Sequence, residues 1–246
     1  MNKNIFYSML IIICFPTVNA ETNRQFEPAP KDENNRYTNQ DPNLSKGSTA
    51  VNVGFLLRRF GTVIRDYQGL PKYVANNGEW LRANHQKSTV TWVGHSTLLV
   101  QIDGINFLTD PMWSKTASPI PPIGPRRLVK LGLAIKDLPP IDFVVISHNH
   151  YDHMDVPTLK KLFAINPATV FFVPMDNAKL LRKNGIKNIH QMDWGENIEF
   201  NNLVIHCLPS QHWSKRSLTD TNKSGWASWA ITSVNKRFYF AGDTGY

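Results

Sequence analysis

Apolar residues along this chain fall into short runs bounded by polar punctuation, and the spacing within them alternates between strand and helix periods. The runs VTWVG from Val90, TLLVQI from Thr97 and INFLT from Ile105 read as strands. Asp103-Gly104 separates the last two, and because both residues tolerate positive φ the pair predicts a hairpin. The stretch SPIPPIGPRR, residues 118–127, holds four prolines and predicts an irregular loop. Phe143 to Ile146 is continuously apolar, as expected of a strand covered on both faces. Two helices follow. One is opened by Asp155 or Val156, carries Pro157 in its first turn and stops at Asn166-Pro167. The other opens at Asp176 and ends at Asn184-Gly185. Further strands are expected at 169–173, 189–192, 203–208, 226–234 and 237–240. Strands interleaved with helices indicate a layered α/β architecture over residues 90–246. No internal repeat is visible.

Upstream of residue 90 the pattern changes three times. Residues 1–20 carry Lys3, an apolar run from Ile5 to Phe15 and a small-residue close at Val18-Asn19-Ala20, which reads as an export signal with its cleavage site. The expected location is periplasmic or secreted, with membrane association as an option. The run is shorter than the roughly 20 residues a spanning helix needs. Cys14 has no small residue before it of the kind a bacterial lipoprotein signal shows. Residues 21–50 are rich in Asn, Pro, Glu, Lys and Ser, a composition expected of a disordered linker. Residues 51–89 form an extension, whose start VNVGFLLRRFGTVIR suits a short helix with one apolar side. Removing the signal takes one of the two cysteines and leaves Cys207 without an intrachain partner. It also lowers the formal charge from +8 to +7, a moderate excess that favours anionic partners or simply a solvated basic surface.

Chemistry concentrates in Ser147-His148-Asn149-His150-Tyr151-Asp152-His153, directly after the apolar strand. Neutral imidazole and carboxylate are the donors that hold zinc at catalytic sites. In an extended or turning segment His148 and His150 point toward one ion, while Asp152 and His153 face a neighbouring one; a helix would put residues two apart on different faces. Two more turns leave apolar strands with a donor at the tip, Pro209-Ser210-Gln211-His212 and Gly242-Asp243-Thr244-Gly245. If their strands run parallel to 143–146, all three turns meet at one sheet edge, and Asp243 would bridge the ions. Asp110, in the LTDP turn, is expected either to orient a donor imidazole or to cap the turn. His95, in GHST between two strands, either approaches the site from the hairpin or packs as a hydrogen-bonded histidine, the commoner role. His85, His190 and His206 read as surface or strand positions.

The spacings HNHYDH, SQHW and AGDTG resemble the metallo-β-lactamase superfamily, with its His-x-His-x-Asp-His signature. The longer segments VTWVGHST, FLTDPMW, LPPIDFVVISHNHYDHMD, PSQHWSKRSLTDTNKSGWASW and FYFAGDTGY resemble N-acyl-phosphatidylethanolamine-hydrolysing phospholipase D and its bacterial relatives, from about Val90 to Tyr246. The resemblance implies a four-layer αββα sandwich of which only the N-terminal part is present. It implies that His148, His150 and His212 bind one zinc, that Asp152 and His153 bind a second, and that Asp243 bridges both; Asp152, Asp243 and His153 would carry the catalysis. The family supplies one further histidine downstream, so a chain stopping at Tyr246 is expected to be a fragment or truncated product with a weakly held or missing second ion and impaired activity.

A zinc pair lowers the pKa of bound water from about 15.7 toward about 7, and the hydroxide would attack a phosphodiester to give a phosphatidate and an N-acylethanolamine. Trp113 and Trp213 are candidates for lining the lipid passage, with core packing the simpler role for Trp194. Lys215 and Arg216, with Arg126 and Arg127, are candidates for steering phosphate, or form a solvated face. The expected partner is a phospholipid substrate or membrane surface. No aromatic and basic stripe points to nucleic acid, and no obligate protein partner is implied. The alternatives are hydrolysis of lactones, lactams or other phosphoesters by the same centre, and a metal-binding or lipid-binding piece without turnover.

Overall fold

The computed structural model describes residues 26–41 and 72–245; the expected signal and the short helix from Val51 lie outside the described residues. Among the described residues, ten strands form two sheets. The first contains β1 (Thr89–Gly94), β2 (Thr97–Ile102), β3 (Ile105–Thr109), β4 (Phe143–Val145), β5 (Val170–Pro174) and β6 (Ile189–Met192), in that spatial order. The second runs β10 (Arg237–Phe240), β9 (Ser228–Thr232), β8 (Leu203–Leu208), β7 (Asn197–Phe200). Among the described residues, the α-helices α1 (Glu79–Ala83), α2 (Val156–Ile165) and α3 (Ala178–Lys183) complete the framework.

Alternation within β4 shows how the layers form. Phe143 and Val145 point into a core shared with Trp229, Ile231, Ile205 and Cys207 of the second sheet. Val144 and Ile146 point the other way, into a core with Leu159 and Leu162 of α2 and Leu181 of α3. Successive residues of a strand face opposite sides, so a run apolar at every position has to be covered twice. Helices, sheet and sheet are therefore stacked in that order among the described residues, in the order of the first three layers of an αββα sandwich.

The hairpin forms as its dipeptide predicts, with Asp103 at φ 51° and Gly104 at φ 82°. Helix α3 is capped at Asn177, one residue later than the Asp176 opening expected, while Asp176 takes φ 63° and accepts the Tyr37 hydroxyl at 2.6 Å. Strand β7 carries no strand signal in its sequence, since NIEF is short and half exposed. Residues 26–41 also differ from the expected linker. Tyr37 is 2% exposed within the sheet-to-sheet core, and Ala29 N–H donates to Asp193 at 3.0 Å. One buried aromatic and a few backbone bonds anchor a segment whose overall composition is polar. No helix among the described residues is long and apolar enough to cross a membrane.

Strand direction decides where the site lies. β1 is antiparallel to β2, β2 to β3, and β3 is parallel to β4. The C-terminal ends of β1, β3 and β4 therefore share one edge, which gathers the turns at His95, Asp110 and His148. In the second sheet β8 and β10 are each antiparallel to β9, so their C-terminal ends lie together and carry the turns at His212 and Asp243. The conditional expectation that the strands before His212 and Asp243 run parallel to 143–146 and share its sheet edge is corrected here: β4 lies in one sheet and β8 and β10 in the other, so the donors come from facing edges of two sheets.

Candidate metal centre

The 147–153 turn is held from three sides. Trp229 Nε1 donates to Ile146 O at 3.0 Å and Ala227 N to Ser147 O at 2.9 Å, tying the turn to the second sheet. Arg216 Nη1 donates to Asn149 O at 2.9 Å and Met154 O at 2.8 Å, with its guanidinium 4.0 Å over the Tyr151 ring. Gly242 takes φ 62°, and a Cβ there would stand 2.5 Å from Ser147 Cβ. Gly242→Ala is therefore expected to cost about 1–3 kcal/mol in denaturant unfolding and to weaken cation retention, because Asp243 follows directly.

Three ring nitrogens then face one another. His148 Nε2 is 2.7 Å from His150 Nδ1, and His212 Nε2 is 3.2 Å from the first and 3.3 Å from the second. Ligands about 2.0–2.1 Å from a tetrahedral zinc have edges of roughly 3.3 Å; the two edges to His212 match that spacing, and the 2.7 Å edge between His148 and His150 has to open to admit such an ion. Beside this trio, His153 Nε2 lies 3.7 Å from Asp152 Oδ2 and 3.4 Å from Asp243 Oδ1, while Asp243 Oδ2 lies 3.8 Å from His212 Nε2. Asp243 thus spans the two groups with one oxygen toward each. The buried His150 Nε2 and His153 Nε2 make no hydrogen bond. For His153 that leaves a ring nitrogen facing two carboxylates, which can ligate a cation once its proton is lost.

Asp110 organises both groups from behind. It is fully buried at φ 34°, accepts Ser147 N at 2.6 Å and Ser147 Oγ at 2.5 Å, and contacts His153 Nδ1 at 2.6 Å. With the Ser147 hydroxyl donating to Asp110, the Ser147 oxygen is left to accept from His148 Nδ1 at 2.9 Å. Both His148 and His153 then carry a proton on Nδ1 and turn Nε2 inward, the arrangement that outer hydrogen bonds impose on ligand imidazoles.

Burial, with the neighbouring imidazoles, pulls His148 well below the usual histidine range. Burial lowers His150 and His212 to about 4, so these rings are neutral donors at pH 7. Burial also opposes charge on His153, but Asp110, Asp243 and Asp152 outweigh it and raise the ring to about 10. Burial pushes Asp110 up against the pull of His153 and Ser147; with two Ser147 donors facing the carboxylate, the shared proton belongs on His153. Asp152 is lowered overall, its burial outweighed by His95 and His153, and Asp243 is lowered by its contact with His153. A cation joining His153 Nε2 must displace a proton held up to about pH 10. Affinity at that group is expected to rise about tenfold per pH unit between about pH 6 and 9, while the trio stays nearly flat. Chelator-competition titrations across that range check the difference.

A pocket of about 590 Å³ opens beside His150, lined by Pro119, Tyr151, Trp213, Lys215, Arg216 and Leu218. Trp213 is 38% exposed, with its ring 4.4 Å from that of His150. Three residues expected at the substrate have other partners in the structure. Trp113 is not in this pocket: it packs against the helix-side core and its Nε1 donates to Leu133 O at 2.9 Å. Arg216 lines the pocket, but its Nη1 serves the backbone of the donor turn. Arg127 Nη2 likewise donates to Met112 O at 2.6 Å. His95 was left open by the sequence, and the structure brings it to 3.0 Å from Asp152. The signal that finds it is strand direction, since the β1 end shares an edge with the ends of β3 and β4. Asp155 takes the N-cap position of α2 as expected, but its side chain makes no capping bond to the helix backbone: it accepts Ser114 N at 2.9 Å and Thr158 Oγ1 at 2.6 Å and fixes the loop after Asp110.

A profile of the β-lactamase superfamily domain matches residues 105–246. The chain is 41% identical over 165 residues to "N-acyl-phosphatidylethanolamine-hydrolyzing phospholipase D 1" of Caenorhabditis elegans, covering 63% of this chain and 46% of that protein. It is 35% identical over 166 residues to the mitochondrial N-acyl-phosphatidylethanolamine-hydrolyzing phospholipase D of Saccharomyces cerevisiae, covering 63% of this chain and 34% of that one. The chain thus spans under half the length of these relatives. A possible metal-dependent hydrolase from Veillonella parvula shares the fold with a TM-score of 0.50 at 20% identity, over 64% of this chain and 63% of that chain. The profile spans more than half of the chain and includes the turns at His148, His212 and Asp243, and the chain belongs to the β-lactamase superfamily domain family.

Proposed function

We propose that this chain carries the metal centre of a zinc-dependent phosphodiesterase of phospholipase D type, acting on N-acyl-phosphatidylethanolamine-like lipids. The observation that carries the metal part is the convergence of His148, His150 and His212 on one point, with Asp243 reaching from it to His153 and Asp152. Imidazole with carboxylate is a donor set that suits zinc. The lipid part rests on the likeness to the phospholipases D above and on the pocket beside His150.

In this reading His148, His150 and His212 hold one cation, and Asp152 and His153 hold the other with Asp243 between them. When bound, such a pair acidifies water and polarises a phosphoryl oxygen. The chain's own groups do the positioning. Asp110 fixes two donor rings, the Trp213 face and Leu218 offer apolar surface to the lipid, and Lys215 places positive charge in the pocket wall where a diester phosphate enters. Hydrolysis would put the water oxygen on phosphorus and release N-acylethanolamine, leaving phosphatidate.

The test incubates the full-length protein, zinc-loaded or stripped with chelator, with vesicles containing N-acyl-phosphatidylethanolamine, with a lactone and with a chromogenic cephalosporin. Release of N-acylethanolamine by the loaded sample alone is the expected result. Turnover of the lactone or cephalosporin without lipid cleavage would replace the lipid assignment, and bound zinc without any turnover would reduce the chain to a metal-binding protein.

A further inference from the structure

The group beside the histidine trio contains one donor that neither the sequence signature nor the bridging carboxylate accounts for. His95 Nε2 is 3.0 Å from Asp152 Oδ2, and the donor atoms of His95, Asp152 and His153 all lie within 4.8 Å of one another. Asp243 Oδ1 reaches the same space, 3.4 Å from His153 Nε2. That nitrogen is buried and has no hydrogen bond.

His95 is placed there deliberately by the β1–β2 turn. Its backbone sits at φ 51°, a region that side-chain-bearing residues rarely adopt. Trp92 Nε1 donates to His95 O at 2.9 Å and holds the turn in that shape. The ring stands edge-on to His153, with centroids 5.2 Å apart. Its side chain is 44% exposed, so core packing does not explain why the ring is held against a carboxylate and an unpartnered imidazole nitrogen.

We propose that His95 is a donor to a second cation, completing a set of two imidazoles and two carboxylates with His153, Asp152 and Asp243. This rests on the metal-centre reading above. Four nitrogen and oxygen donors suit a borderline divalent ion such as zinc. Three of them come from the first sheet and Asp243 from the second, so the ion ties the two sheets together at the site edge. His95 gives the second ion a protein donor drawn from the β1–β2 hairpin.

The probe is zinc alone, titrated against a chromogenic chelator into the full-length protein and its His95→Ala, His95→Asn and His150→Ala variants. Asparagine tolerates positive φ and keeps the turn, but its side chain is too short to reach the ion. Wild type is expected to hold two equivalents. Both His95 variants are expected to keep one at wild-type affinity and to bind the other at least about tenfold more weakly, whereas His150→Ala loses the equivalent that they keep. In the cobalt-loaded protein, the absorption of the weaker equivalent alone should change on His95 substitution. Two equivalents at wild-type affinity in both His95 variants would overturn the proposal, as would a loss confined to alanine, which would report turn geometry. A wild type that binds no zinc would sink the metal-centre reading itself, and His95 with it.

Discussion

Asp110→Ala is expected to weaken both cation positions together and to destabilise the fold by about 3–5 kcal/mol, the cost of leaving a buried charge without its partner. The carboxylate is completely buried and serves Ser147 N, Ser147 Oγ and His153 Nδ1. Its removal strands three polar groups without access to water. It also frees both donor rings. His153 loses the acceptor that holds its proton on Nδ1, and His148 loses the Ser147 hydroxyl orientation that does the same. Groups behind a metal ligand are worth about 10–100-fold in affinity, and here one group stands behind two ligands. Asp110→Asn separates the two effects. An amide oxygen still accepts Ser147 N, while the amide nitrogen opposes His153 Nδ1–H, so the second position should suffer more than the first and stability less than in alanine. Chelator competition and thermal unfolding, run on both variants, read these effects. Equal loss at both positions in the asparagine variant would argue against the tautomer account.

His150→Ala is the second large effect, and its signature is the opposite. The ring lines the pocket mouth, contributes Nδ1 to the trio and is lowered to about 4 by burial. Losing a direct donor should exceed the 10–100-fold typical of groups behind it, so the first equivalent of metal and the hydrolysis that depends on it should both disappear. The metal-free protein should lose far less than it does in Asp110→Ala, about 1 kcal/mol, because the half-buried ring gives up some packing while its removal relieves three converging ring nitrogens. Metal content and unfolding of the stripped protein check the two halves. A metal-free fold that collapses without His150 would assign the ring to packing.

Much of this centre was legible before any coordinates. Four donor-type residues in the six from His148 to His153, after a strand apolar at every position, announce a turn at a buried sheet edge, and that is where they lie. Asp103-Gly104 announced its hairpin for an equally local reason. The sequence was silent where the answer depended on strand direction or on which sheet a strand joins. HNHYDH, SQHW and AGDTG each follow an apolar strand, but spacing along a chain does not reveal that β4 lies in one sheet and β8 and β10 in another. His95 stands alone in its segment and is brought to Asp152 only by the alternation of β1, β2 and β3. Trp113 and Trp213 have the same composition signal, yet one faces the helix-side core and the other the pocket. Arg216 and Lys215 are neighbours with equal charge, but only the reach of the guanidinium lets Arg216 bind Asn149 and Met154 at once. Tyr37 shows the limit of composition most simply, since one buried ring outweighs its polar surroundings.

Anomalous X-ray diffraction from crystals of the zinc-loaded, full-length protein tests the central claim most directly, because it locates each ion relative to named side chains. We expect one peak within about 2.0–2.1 Å of His148 Nε2, His150 Nδ1 and His212 Nε2, and a second among Asp152, His153 and Asp243. Peaks confined to surface residues, with the three imidazoles turned away from one another, would contradict it.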